Sequence, residues 1–123
     1  MTTIRIGRLV AITVFVLSAW WGFTNGPVEV DRGASALQKA VGIGQIAYGI
    51  TALFAIAALW FRPRLADRVA ALWAVLVTVT SLNAAIAWRA DLRSTLLALF
   101  AFAGTGWIVV WLVRQCMPAD IVE

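Results

Sequence analysis

The stretch Ala40–Phe61, AVGIGQIAYGITALFAIAALWF, runs 22 residues without Asp, Glu, Lys, Arg or His and stops at Arg62-Pro63-Arg64. A helix rises about 1.5 Å per residue and the hydrocarbon layer of a bilayer is about 30 Å thick, so this segment alone is long enough to cross one. Three more uncharged runs flank it: Leu9–Phe23, Val69–Trp88 and Thr95–Val113, of 15, 20 and 19 residues. The last two span unaided. The first needs its flanks, which Ile4 to Ile6 supply, with Arg8 snorkelling to the surface. A cleaved signal peptide is the rival reading of that run, but small residues of an A-x-A-like cleavage site are missing after Trp20 and Trp21, which favours a retained helix.

Composition points the same way. The 123 residues are 63% hydrophobic and 13% charged, with a mean hydropathy of +0.90, more apolar surface than a soluble domain of this size can hide. The expected fold class is all-α, an integral membrane four-helix bundle forming a single transmembrane domain over 1–123. Its helices are expected near 4–23, 36–61, 65–89 and 92–114.

The connectors set these limits. Gly22, Asn25, Gly26 and Pro27 read as the end of helix one, leaving a polar loop to Gly33. Ser35 followed by Gln38 is a capping-box pattern that starts helix two. Arg62-Pro63-Arg64 ends that helix, because proline disfavours helical geometry in the residue before it and lacks its own donor. Asp91 is placed to cap helix four.

With no His and one Cys, His-based acid/base catalysis, Cys/His zinc sites, CxxC redox chemistry and disulfide scaffolds are excluded. No cofactor or metal is expected. The net charge of +4 comes from basic residues in short groups between apolar runs, which is membrane topology and not a nucleic-acid face. The spans carry no acidic, basic or imidazole side chain. Proton-coupled transport needs such a group within the membrane, so a proton-antiporting exporter is excluded too.

Counting Lys and Arg gives an orientation. Arg5, Arg8, Arg62, Arg64, Arg68 and Arg114 fall on one side, and Arg32, Lys39, Arg89 and Arg93 on the other. The bias places both termini in the cytoplasm and the chain in a cell inner membrane. Trp20, Trp21 and Trp88 read as one interfacial belt, and Trp60, Trp73, Trp107 and Trp111 as the other.

Uncharged polar residues are the remaining candidates. Measured inward from the expected helix edges, Ser18, Gln45 and Asn83 are level, with Tyr48 one turn below Gln45 and Thr80 one turn below Asn83. Ser18, Gln45, Tyr48 and Asn83 therefore form a candidate ligand-binding cluster, or else hydrogen-bonded packing between helices. Small residues form stripes at Gly44, Gly49, Ala52 and Ala55, at Ala70, Ala74, Thr78, Ser81 and Ala85, and at Ala98, Ala101 and Thr105, suited to packing within the bundle or to a homodimer. Arg62, Arg64 and Arg68 are candidate lipid-headgroup contacts. Cys116 reads as an inert juxtamembrane thiol.

A first helix closing on Gly22-Phe23, a long polar loop, a glycine-bearing second helix with Gly44 and Gly49, and the Arg62-Pro63-Arg64 hairpin resemble the DoxX-like group of small bacterial four-helix membrane proteins. The resemblance implies the same fold, and in some members a link to quinone-dependent sulfur oxidation or oxidative-stress membrane complexes. This chain lacks the intramembrane charges and cysteines that would make a redox role concrete.

The sequence thus describes a non-catalytic accessory or assembly partner in a membrane complex, in contact with membrane lipids and with a membrane protein partner or a second copy. The alternatives are binding or transport of an apolar or amphipathic small molecule, and a subunit of a quinone-linked oxidoreductase.

Overall fold

The computed structural model describes residues 2–89 and 91–115, with side chains from Ile6 onward; Cys116 lies outside the described residues. Four helices, α1 (Thr2–Arg32), α2 (Ala36–Phe61), α3 (Pro63–Ala87) and α4 (Leu92–Gln115), account for nearly all of them. Each is long and apolar enough to cross a membrane. Helix α4 has three parts: about two α-helical turns at Leu92–Ala98, a π-helical segment at Leu99–Ala103 and a second α-helical stretch from Gly104 to Gln115.

The first helix does not end at Gly22–Pro27; it continues to Arg32. Three local features explain why. Gly26 precedes Pro27 and has no Cβ to collide with the proline ring, which removes much of the usual cost of helical geometry before proline. Gly22 and Gly26 lie on the face turned toward α2: a Cβ on Gly22 would overlap the Gln45 carbonyl oxygen. Continuing the helix, moreover, keeps the backbone polar groups of this stretch paired internally. The residues that read as a stop signal are the surface on which α2 docks.

The other boundaries have simple causes. Ser35 accepts a hydrogen bond from the Gln38 N–H at 3.2 Å, while Gln38 Oε1 accepts one from the Ala34 N–H at 2.9 Å, a reciprocal cap on α2. Pro63 opens α3 at a position whose N–H is not needed. Arg89 takes a left-handed φ of 51° at the end of α3. Asp91 caps α4 by accepting from the Ser94 N–H at 3.1 Å.

The helices run up, down, up and down, with α1 against α2, α2 against α3, and α3 against α4. The core is built from small side chains: Ala52, Ala55, Ala66, Ala70 and Ala74 are fully buried, so α2 and α3 approach closely. Phe15 and Trp73 are buried among them, while many other large apolar residues point outward, as with Phe61 and Phe100 at 83% and 78% exposure. Such an apolar exterior suits a lipid surrounding.

Packing around α1 is uneven. Along α2 it is backbone to backbone, and a Cβ on Gly42 would sit 2.6 Å from the Gly26 carbonyl oxygen. Against α4, α1 touches only the Gly104–Gln115 part, where Val109, Val110 and Val113 are buried. The Leu92–Ala103 part contacts α3 alone among the other three helices, and its residues before Gly104 are not buried. In the half of the bundle away from the termini, α1 and α4 therefore stand apart.

Candidate functional site

The gap between α1 and α4 is a cleft of about 670 Å³ that all four helices line. From α1 come Val14, Leu17, Ser18 and Trp21, spaced i, i+3, i+4 and i+7 as one helical face requires. Helix α2 contributes Val41, Gln45 and Tyr48 from its own single face.

Trp73 anchors the cleft. Its indole N–H donates to Ser18 Oγ at 2.8 Å, and its ring meets Phe15 edge to face, with centroids 4.9 Å apart and planes at 82°. At 2% exposure it joins α1 to α3 across the core. The sequence reading had put Trp73 in an interfacial belt. It stands about 15 Å along α3 from Pro63, however, near the middle of that helix, and it fills space that the alanines of α2 and α3 leave.

Within the cleft, Gln45 is the polar residue left over. Its Oε1 is buried and accepts no hydrogen bond from any described residue. An unmet acceptor in an apolar setting costs about 1–3 kcal/mol. Tyr48, 8% exposed, lies one turn further along the same face. Thr80 faces them from α3, close enough to Gly44 that a Cβ there would overlap its Oγ1. The lining carries no Asp, Glu, Lys or Arg.

Of the four residues proposed from sequence, Ser18, Gln45 and Tyr48 meet in this cleft; Asn83 does not line it. Residues 77, 80, 84 and 88 mark the cleft face of α3, and at about 100° per residue Asn83 lies roughly a third of a turn away. Equal height did not mean a shared face. Sequence reasoning passed over Trp73 and treated Ser81 only as part of a packing stripe, although Ser81, Ala84 and Trp88 repeat at helical spacing on that wall.

The stripe Ala98, Ala101 and Thr105 also has a different role from the expected helix contact, since all three residues line the cleft. By contrast Gly49, Ala52 and Ala55 on α2 are buried as packing residues. Arg62, Arg64 and Arg68 are exposed at the α2–α3 hairpin, at the opposite end of the bundle from the cleft. Beside them Asp67 approaches Arg114 at 4.0 Å.

Together the fold and the cleft define a small multi-pass membrane protein of the four-helix type. Comparison with family models, curated proteins and solved structures gave no match to this chain.

Proposed function

We propose that this protein binds an amphipathic small molecule that enters the cleft sideways from the bilayer. The observation that carries the reading is Gln45, whose buried Oε1 has no partner among the described residues, on the wall of an uncharged, mostly apolar cleft. Ligand sites combine an apolar lining with a few convergent polar groups, and volumes of about 300–1,000 Å³ are usual for them. Packing seldom leaves a buried acceptor unpaired. The cleft sits in a bacterial inner membrane with both termini cytoplasmic, a placement supported by six basic residues against four.

The test is purification in a gentle detergent followed by mass spectrometry of extracted small molecules. A stoichiometric molecule is expected from the native chain, and Gln45→Leu and Ala98→Phe should each lose it while the melting temperature holds. Equal retention by both variants would defeat the reading.

A second reading, an accessory or assembly role in a membrane complex, is favoured by the Leu92–Ala98 part of α4, which buries no residue and rests on α3 alone. The DoxX-like resemblance supports that role, including partnership with a quinone-linked enzyme that carries the redox centre. A stoichiometric protein partner, lost on Leu97→Ser but kept on Gln45→Leu, would favour it.

A further inference from the structure

The groups facing the cleft narrow the chemistry of what it can hold. None of its lining residues is charged, so an ionic head drawn inside would lose hydration with no counter-charge to replace it. Hydrogen-bonding capacity is nevertheless plentiful. Gln45 Oε1 needs a donor. Ser18 accepts from Trp73 and keeps its own hydroxyl hydrogen to give. Thr51 and Thr78 return their hydroxyls to the carbonyls of Ala47 and Ala74 on their own helices, whereas Thr80 makes no such bond, nor does the Tyr48 hydroxyl bond to any described residue. Gln45 and three hydroxyls able to donate thus line one cleft.

A single neutral hydroxyl on a ligand would pair with both, donating to Gln45 once the carboxamide turns its oxygen toward the cleft and accepting from a neighbouring hydroxyl. Around these groups the walls are apolar and aromatic, with Val14, Leu17, Val77 and Phe102 among them. The cleft opens on the side where α1 and α4 part.

We infer that the cleft selects an uncharged amphiphile whose head bears a hydroxyl, in the class of long-chain or isoprenoid alcohols and monoacylglycerols, held head-inward at Gln45 with its tail leaving between α1 and α4. This rests on the cleft being a binding site, and it adds the head chemistry and the orientation.

Four photoreactive probes with one identical sixteen-carbon-type tail separate the cases: a primary alcohol, its methyl ether, the corresponding carboxylate and the trimethylammonium. Each is reconstituted with the full chain in neutral phosphatidylcholine vesicles at pH 8, and labelled peptides are mapped. The alcohol should label the α1 and α4 walls of the cleft at least about tenfold more than the other three, the scale of one net hydrogen bond and of an uncompensated charge. Gln45→Leu should bring alcohol labelling down to that of the ether, and Gln45→Asn should keep part of the difference. Equal labelling by alcohol, ether and ions would overturn the head-group inference while leaving the cleft a binding site. Labelling of the outer lipid-facing surface alone by every probe would remove the binding reading itself.

Discussion

Helix α1 meets α2 and α4 in opposite ways. Toward α2 it presents glycines, so the two backbones come together and a single added carbon has nowhere to go. Toward α4 it presents Val14, Leu17, Ser18 and Trp21 to the cleft. Within a membrane, close approach of small residues is what holds helices together, because lipid offers apolar side chains as good a solvent as another helix does. A bundle can therefore be firm along one seam and parted along the next with no change in average hydrophobicity.

The largest expected effect falls on the closed seam. For Gly42→Leu the new Cβ would lie 2.6 Å from the Gly26 carbonyl oxygen and 2.7 Å from the Val30 nitrogen, both backbone atoms. We expect almost no folded monomer on size exclusion, an overpacking cost of about 3 kcal/mol or more. Normal recovery would show that the seam is looser than described.

Next comes the anchor between seam and cleft. Trp73→Ala should cost about 3–5 kcal/mol, as loss of a large buried aromatic does. Trp73→Phe should cost about 1 kcal/mol for the bond to Ser18. Denaturant unfolding in mixed micelles measures both, and equal losses would mean that the hydrogen bond, not the ring, does the holding.

On the parted side the sign reverses. Nothing lies within 4 Å of a Cβ on Gly104, so Gly104→Ala should stabilise α4 by about 0.5–1 kcal/mol through helix propensity. A loss comparable to that of Gly42→Leu would erase the contrast between the two sides.

The smallest effect is at the cap of α4. Hydrogen bonds from Ser94, from its side chain and then its backbone, hold the exposed Asp91 carboxyl below its ordinary range. Because the folded value is the lower one, this contribution is complete above the unfolded pKa of about 3.9 and is lost only as pH falls through the folded value. The Ser94 amide resonance in micelles should stay constant from pH 8 to pH 5 and move only below about pH 4. A midpoint near pH 6 would contradict the cap.

The helices, their caps at Ser35 and Asp91, and the hairpin at Pro63 were legible in the sequence because charge boundaries and capping residues act locally. Height along the bundle was legible too, and the structure brings Ser18, Gln45 and Tyr48 to one cleft. Direction around the helix was not: Asn83 matches them in height but turns away by about a third of a turn. Gly22, Gly26 and Pro27 misled for a related reason. Their meaning depends on whether another helix lies against them, and only the packed structure supplies that neighbour. The role of Trp73 was hidden for the same reason, since its partners Phe15 and Ser18 are far away along the chain.

The π-helical segment Leu99–Ala103 places the two ends of α4 out of phase. Such a segment commonly amounts to one residue more than an α-helix would use, which advances everything beyond it by about 100° and 1.5 Å. Removing a single residue there would turn the wall formed by Ser94, Thr95 and Ala98 by that angle relative to the buried valines Val109, Val110 and Val113. The width of the opening is thus written in the spacing between two faces of one helix as well as in the side chains they carry. An insertion or deletion between 99 and 103 would re-aim the cleft while leaving every cleft-lining residue on the other three helices in place.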